Sequence, residues 1–335
     1  MRFLFLVNDV HAIHPTQTTA MLIAAAAREH TVWVTDVSSL SCRNDGKAWA
    51  YAKQLPAKPE LTLAALMAEI NEISWQAIAL TQAALDLLFI RVNPARDFGR
   101  SSLYQTALNL ARLAESSGVR VINRPDGLIR AATKLYLLEL PTFTRPPTLV
   151  SGNREEITAF IDTLAGPAVL KPLQGTRGND VFFVSSSADA NLNQIIDVIS
   201  RQGLVMAQGC IPGAELGDTR VVVVNGKVLE IDGHPAAIHR VPKTGDFRSN
   251  IHAGGTAAPG TVTEKMHQVV KAIGRKLVDD GLFLVGLDFI GHELVEINVF
   301  STGGLRDAEK FTGANFAQRI IQIFSSWSDR KYNQR

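Results

Sequence analysis

Cysteine is scarce: Cys42 and Cys210 are the only two in 335 residues. That is too few for a disulfide framework, and neither has the C-x-x-C partner that zinc or redox work requires. A reducing compartment is expected. Long apolar runs are missing as well. The opening run from Phe3 meets Asp9 too soon for a signal-peptide core, and no stretch approaches the roughly 20 residues of a membrane-spanning helix. The expectation is a cytoplasmic protein without membrane contact, whose first run is a buried strand. Net charge is nearly absent: 34 Lys and Arg against 32 Asp and Glu leave +2. No global field therefore recruits nucleic acid or an acidic membrane face, and any phosphate chemistry must come from local arrangement. With 46% hydrophobic residues and 20% charged, disorder is excluded and a sizeable core is affordable at this length, divided between two or three domains of roughly 150 residues or fewer.

The first third alternates apolar runs with helical patterns. Phe3–Val7, Val32–Val37, Asp86–Ile90 and Val119–Ile122 read as strands; Thr18–Glu29 and Leu103–Ser117 read as helices. That rhythm predicts βαβ units around an open, mostly parallel sheet. The polar, proline-containing stretch Arg43–Glu60 reads as a surface excursion. The breaker Asn123-Arg124-Pro125-Asp126-Gly127 marks a boundary, and a helix over Leu128–Glu139 is stopped by Pro141 and the Pro146-Pro147 pair. A small α+β unit follows, with a strand at Ala168–Lys171 leading into a glycine loop. From Val205 the pattern is strand-rich, with hairpin turns at Asn225-Gly226 and Gly291-His292. The reading is α/β, turning α+β later, with domains 1–122, 123–204 and 205–335.

Three groups of residues could carry chemistry. In Lys171-Pro172-Leu173-Gln174-Gly175-Thr176-Arg177-Gly178-Asn179 a strand delivers a lysine to a loop whose amides could cradle phosphate oxygens, although neither the Walker nor the Rossmann spacing is present. In Asp288-Phe289-Ile290-Gly291-His292-Glu293-Leu294-Val295-Glu296-Ile297-Asn298 two carboxylates and a carboxamide sit on a predicted hairpin. Glu296 and Asn298 are two apart and so share a face, and an oxygen-only set suits a hard cation such as Mg²⁺. A solvated hairpin is the plainer alternative in each case. Third, Arg220, Arg240, Arg248 and Arg306 could meet carboxylates or phosphates bidentately. No G-x-S-x-G elbow or H-E-x-x-H pattern appears, so nucleophilic hydrolase and zinc-protease chemistry lack support.

The order of these segments resembles the ATP-grasp superfamily, and within it most closely the bacterial glutathione synthetase family. The matching segments are Asn123-Arg124-Pro125 with Lys134, Leu170-Lys171-Pro172-Leu173, Met206-Ala207-Gln208, Gly217-Asp218-Thr219-Arg220-Val221, Arg240-Val241-Pro242, Arg248-Ser249-Asn250 and Val285-Gly286-Leu287-Asp288 leading to Glu296-Ile297-Asn298. The resemblance implies an ATP-grasp fold behind an open parallel-sheet N-terminal domain, and an ADP-forming ligase that joins a carboxylate to an amine through an acyl phosphate. It implies that Lys134 and Lys171 contact ATP phosphates, with Gln174, Gly175 and Gly178 in a closing loop. Gln208, Gly209, Cys210 and Ile211 would hold adenine, and Asp218 would lie near the ribose. Asp288, Glu296 and Asn298 would bind Mg²⁺, or alternatively Mn²⁺. Arg220 and Lys171 would stabilise the transferred phosphoryl group, and Arg240 and Asn250 would act on the substrate carboxylate. Arg91, Ser301, Gly303 and Arg306 would contribute to substrate binding. Peptide and amino-acid substrates and a homo-oligomer are implied, without nucleic acid or membrane. The chain departs from the family at Arg91-Val92-Asn93-Pro94-Ala95, at Phe300-Ser301-Thr302-Gly303-Gly304 and at Arg177 in the loop. A ligase adding a different amino acid, of the glutamate-ligase type, and a non-catalytic ATP-binding module are the alternative readings.

Overall fold

A computed structural model of the chain describes residues 1–55, 57–59, 62–175, 179–243 and 255–327. Strand β1 (Arg2–Val7) points Phe3 and Phe5 to one side and Leu4 and Leu6 to the other, and all four are fully buried. A strand hidden on both faces belongs at the centre of a parallel sheet. Helix α1 (Thr18–Ala27) leads to β2 (Thr31–Asp36), which pairs with β1 in parallel. All ten residues of α1 are buried, as expected of a helix without a polar face.

The expected surface excursion at 43–60 contains a strand instead. After β3 (Leu40–Cys42), β4 (Ala48–Leu55) runs antiparallel beside β2 and pairs also with β3. Its inward residues Ala48, Ala50 and Ala52 are completely buried. Alanines in alternation give a weak period-two signal, and Asn44-Asp45-Gly46 is only the hairpin turn, with Gly46 at φ +74°. Helix α2 (Leu63–Glu72) then brings β5 (Trp75–Ala79) against β4. Strand β6 (Leu87–Ile90) lies parallel on the other side of β1, and α3 (Ser101–Ser116) crosses to β7 (Arg120–Ile122), parallel to β6. Helix α1 packs on the Phe3/Phe5 face and α3 on the Leu4/Leu6 face, so the sheet is doubly wound.

The single helix expected over Leu128–Glu139 is broken. Helix α4 (Pro125–Arg130) starts on Pro125, and a 3₁₀ turn covers Lys134–Glu139. The interruption has a tertiary cause: the Lys134 amide donates to Leu173 O at 3.0 Å rather than continuing a helix.

A second sheet holds β8 (Thr148–Ser151), β9 (Ala168–Pro172), β10 (Phe182–Val184) and β11 (Val205–Gly209) in the order β10-β9-β11-β8, all antiparallel. Helices α5 (Arg154–Asp162) and α6 (Leu192–Ser200) cover it. Its core of Ile157, Leu170, Ile195, Ile199 and Val205 is separate from the rest.

The third sheet is built on β12 (Asp218–Val224), with the short β13 (Lys227–Val228) hairpinned back on it. A two-stranded ribbon, β14 (Glu230–Ile231) and β15 (His234–Pro235), precedes β16 (Ala237–Val241) and β17 (Thr256–Pro259). After α7 (Glu264–Asp279) come β18 (Leu284–Ile290) and β19 (Glu293–Asn298), giving the order β17-β16-β12-β18-β19. Helices α8 (Leu305–Thr312) and α9 (Phe316–Ser325) end the described chain. One face of this sheet, with Val221, Val223, Val285 and Leu287, packs on α7 in the cluster that includes Leu4 and Leu6. The other, with Val222, Val224 and Ile238, packs on α8 and α9 and joins the cluster around Phe3 and Phe5. The first and third sheets therefore share both cores. Asn123 reinforces the join: its carboxamide bonds Leu284 O at 2.8 Å, Val299 O at 2.7 Å and Leu284 N at 2.7 Å.

Candidate active site

In an open parallel sheet the crevice for a ligand lies beyond the carboxyl ends of two adjacent strands whose connections leave in opposite directions. Here those strands are β1 and β6, since α1 and α3 lie on opposite faces. Their ends deliver Asn8 and the segment Arg91–Ala95 to the same point. A cleft of about 450 Å³ opens there. Asn93, Ser101, Tyr104 and Gln105 form one wall, Lys134 and Leu173–Gly175 the opposite wall, and Glu296, Asn298 and Ser301 the floor. The site thus lies between all three sheets.

Glu296 and Asn298 belong to a cross-strand grid whose other members, Asp218, Arg220, Arg240 and Asp288, do not themselves line the cleft. Residues directly opposite on antiparallel neighbours share a face, and so do residues two apart on one strand. Asp218 faces Arg240, Arg220 faces Asp288, Asp288 faces Glu296, and Gly286 faces Asn298. Asp218, Arg220, Arg240, Asp288, Glu296 and Asn298 therefore all project from one face of the third sheet. A bulge in the β18–β19 pairing follows Asp288, re-aiming the residues around Glu296.

Within the grid the contacts are short and bidentate. Arg220 Nε and Nη2 donate to the two oxygens of Asp288 at 2.7 and 2.6 Å. Arg240 Nε and Nη2 hold Asp218 at 2.6 and 2.8 Å, and Arg240 Nη2 also reaches Asp288 Oδ2 at 2.8 Å. Asn298 Nδ2 adds a fourth donor to Asp288 at 3.1 Å. Burial opposes ionisation of Asp288, yet the two guanidinium charges and their hydrogen bonds prevail and hold its carboxyl well below the usual carboxylate range. Burial likewise opposes the charge on Arg240, and Asp288 and Asp218 overcome it, pushing that pKa up. Two arginines against Asp218, Asp288 and Glu296 leave one negative charge, the sign a metal cation needs. Among the described residues no three His, Cys, Asp or Glu side chains gather as a metal cage. Two carboxylates and one carboxamide fit a hard cation that takes its remaining ligands from phosphate oxygens and water.

Of the two lysines, Lys134 lines the cleft and Lys171 does not. Lys171, on β9, is buried and donates to Gln208 Oε1 at 2.9 Å and to Val295 O at 3.5 Å. Gln208 is fixed by its other amide atom, Nε2 donating to Thr148 Oγ1 at 3.0 Å. Burial, with the nearby charge of Lys134, brings the Lys171 pKa down to about 8 against the opposing pull of Glu296 and Asp288. Lys134 Nζ donates to Gly175 O at 3.4 Å. Its 3₁₀ turn is anchored by Tyr136, whose hydroxyl donates to Asp280 Oδ2 at 2.6 Å. Gly175 takes φ +150°, a conformation open mainly to glycine.

The expected site residues do not all converge. Gly209 N and Cys210 N donate to Pro147 O and Pro167 O at 2.9 and 2.8 Å, so the segment before Ile211 is held against the second sheet. Arg91 does not line the cleft. It is buried, donating from Nη2 to Thr302 O at 2.9 Å, from Nη1 to Phe300 O at 3.5 Å and from Nε to Thr19 Oγ1 at 3.3 Å, and burial with nearby Arg96 lowers its pKa to about 9. It braces the 300–302 segment from behind. Arg306 is exposed in the first turn of α8 and does not line the cleft either, while Gly303 precedes the Gly304 cap of that helix. Gly178 and Asn250 lie outside the described residues, as does Arg177. Sequence reasoning missed Tyr104, Gln105 and Thr302. The first two stand in an amphipathic helix and read as ordinary core and surface; Thr302, buried with an unpartnered hydroxyl, packs against Gly286, a contact between segments that no local pattern reveals.

The family model described as prokaryotic glutathione synthetase, ATP-grasp domain, matches residues 133–313, and the one described as prokaryotic glutathione synthetase, N-terminal domain, matches 1–129. A protein named glutathione synthetase from Synechococcus elongatus is 33% identical over 325 residues, covering 96% of this chain and 97% of that one. One of the same name from Coxiella burnetii is 32% identical over 323 residues, covering 96% and 93%. Among solved structures, a RiPP-associated ATP-grasp ligase from Chryseobacterium gregarium superposes over 100% of both chains with TM-score 0.65 at 14% identity. D-cycloserine synthetase DcsG covers 95% of this chain and 99% of its own with TM-score 0.58 at 17% identity. At these identities the structural matches speak for the fold.

Proposed function

We propose that this chain, which belongs to the prokaryotic glutathione synthetase family, joins the carboxylate of γ-glutamylcysteine to the amine of glycine while ATP becomes ADP and phosphate. The family and the ATP-grasp domain make it an ADP-forming carbon–nitrogen ligase. The observation that carries the reading is the grid: paired arginines and a carboxylate–carboxamide set on one sheet face, of which Glu296 and Asn298 line a cleft shared with Lys134.

A carboxylate does not react with an amine in water until its oxygen becomes a leaving group. Transfer of the terminal phosphoryl group of ATP to the donor carboxylate gives an acyl phosphate; the amine then attacks the acyl carbon and phosphate departs. The chain's task is to gather anions, balance their charge and exclude water from a hydrolysable intermediate. Lys134 and Lys171 supply positive charge to the nucleotide phosphates. Arg220, anchored by Asp288, is oriented toward the transferred group, and Arg240, locked on Asp218, keeps that anchor in place. Glu296, Asn298 and Asp288 would hold Mg²⁺, or Mn²⁺, which when bound neutralises phosphate charge. The segment around Gln208–Ile211 would hold adenine, with Gln208 itself serving Lys171. Ser301 on the cleft floor would contact the donor. Small peptide and amino-acid substrates, a cytoplasmic location and a homo-oligomer complete the reading, and among the described residues no helix is long and apolar enough to cross a membrane. An acyl phosphate predicts that ¹⁸O placed in the donor's reacting carboxylate appears in the released phosphate; product amide without label in phosphate would overturn the mechanism.

A further inference from the structure

The N-terminal wall of the cleft is built from a hydrogen-bonded pin that the ligase chemistry above does not use. Asn8, at the end of β1, turns its carboxamide onto the backbone of Asn93: Asn93 N donates to Asn8 Oδ1 at 2.7 Å, and Asn8 Nδ2 donates to Asn93 O at 3.0 Å. The same Asn8 Nδ2 donates to Tyr104 Oη at 2.6 Å. Tyr104 is 2% exposed, and its hydroxyl donates to Asp97 Oδ2 at 3.1 Å, where Arg100 Nε also donates at 2.6 Å. Burial raises the Tyr104 pKa first, with the bond to Asp97 acting in the same direction, so the phenol stays protonated as a donor. Strands β1 and β6 and helix α3 are thereby tied together at the crevice, and the peptide unit of Asn93 is fixed on both sides.

What the pin presents is the side chain of Asn93, which lines the cleft and does not cap the following turn. Among the described residues lining the cleft the charged ones are Lys134 and Glu296, and neither belongs to this wall. The wall offers Asn93, Ser101 and Gln105 beside Pro94 and Ala95, neutral donors and acceptors on an apolar backing. Such a wall gives no charge balance to a carboxylate or an ammonium. A carboxamide is complementary to a peptide group, giving an N–H to its C=O and accepting from its N–H.

We propose that Asn93 recognises the uncharged peptide group of the donor substrate, and that Tyr104 and Asn8 are positioning residues that hold it in place. This deepens the γ-glutamylcysteine reading and rests on it. The expected selectivity is for a donor with an internal amide, the arginines of the grid addressing its charged end.

The test compares γ-glutamylcysteine with its ester analogue, in which the internal N–H is replaced by oxygen, using the full-length enzyme with ATP, Mg²⁺ and glycine. The intact enzyme should prefer the amide by about tenfold in kcat/KM, the scale of one well-placed hydrogen bond. Asn93→Ala should raise the donor KM by about tenfold, leave the ATP KM unchanged and reduce the amide-to-ester preference to below about twofold. Tyr104→Phe keeps the ring in the core and removes the hydroxyl; it should lower the preference in the same sense, by a smaller factor, and again spare the ATP KM. If Asn93→Ala retains the full preference, the assignment of Asn93 is wrong. If Tyr104→Phe shifts donor and ATP constants together with the melting temperature, Tyr104 is a structural residue and the positioning claim fails. Absence of turnover in the intact enzyme with γ-glutamylcysteine would instead overturn the substrate reading on which the inference stands.

Discussion

Arg220 and Asp288 face each other on β12 and β18, and the guanidinium of one grips both oxygens of the other at 2.7 and 2.6 Å. Asp288 is 1% exposed and receives Arg240 as well. Removing one partner of a buried ion pair leaves the other charge uncompensated, which costs more than the pair itself contributes. Asp288→Asn should therefore lower the unfolding free energy by about 3–5 kcal/mol, read from urea denaturation. A loss below about 1 kcal/mol would place this carboxylate in a far wetter site than the buried pairing implies.

Lys171 should set an upper pH limit on nucleotide use. Its pKa is brought down to about 8 in the protein, so the free enzyme loses this charge as pH rises through that value, and kcat/KM for ATP should fall above about pH 8. Lys171→Arg, whose guanidinium stays protonated, should lose that limb of the profile, whatever its absolute rate. The stability effect has the opposite sign. The unfolded chain keeps the proton up to the ordinary lysine range, so burial of the charged form destabilises the fold fully below pH 8 and this penalty is relieved between about pH 8 and 10.5.

Gly286 is required by contact rather than by backbone conformation. A Cβ there would overlap Thr302 Oγ1 and approach Arg220 Cδ to 3.6 Å. Gly286→Ala should displace the 300–304 segment from the floor and reduce kcat by about 100-fold, the cost of misplacing a reacting group by roughly an ångström. Turnover within twofold of the parent would show that this packing has no bearing on the site.

Glu296 is half-buried on the cleft floor. Glu296→Gln keeps its shape and removes a hard ligand, so turnover should fall by about 100-fold or more while the melting temperature changes by less than about 2 °C. Mn²⁺ affinity in the presence of ADP, followed by electron paramagnetic resonance, should weaken in parallel. Unchanged Mn²⁺ binding would remove Glu296 from the metal site.

The grid was partly legible in the sequence. Glu296 and Asn298 stand two apart, so the period of a strand places those two on one face, whereas regular hairpin register would set Asp288 opposite Val295 and only the bulge after Asp288 brings it opposite Glu296. The engagement of Asp288 by two arginines was not legible, because Arg220 and Arg240 reach it through pairings 68 and 48 residues apart, and register between distant strands is set by the whole sheet. The strand at Ala48–Leu55 was hidden by its alanines, which satisfy a tight interior without signalling it. Arg91 was recognisable as important, but its direction was not: it turns inward to the carbonyls of Phe300 and Thr302, where the sequence suggested a substrate contact. Tyr104 looked like one more core position of an amphipathic helix, and only the meeting of β1 and β6 brings Asn8 to its hydroxyl.

On the proposed function, one cleft couples ATP cleavage to amide formation between γ-glutamylcysteine and glycine. That coupling is tested most directly by the release of ADP with ATP and Mg²⁺, measured with both substrates, with each alone and with neither. Sustained ADP release, in equal amount with glutathione, is expected when both are present, and at most a small fraction of that rate when either is omitted. ADP release that ignores both substrates, or that follows an amine other than glycine while glycine is inert, would contradict it.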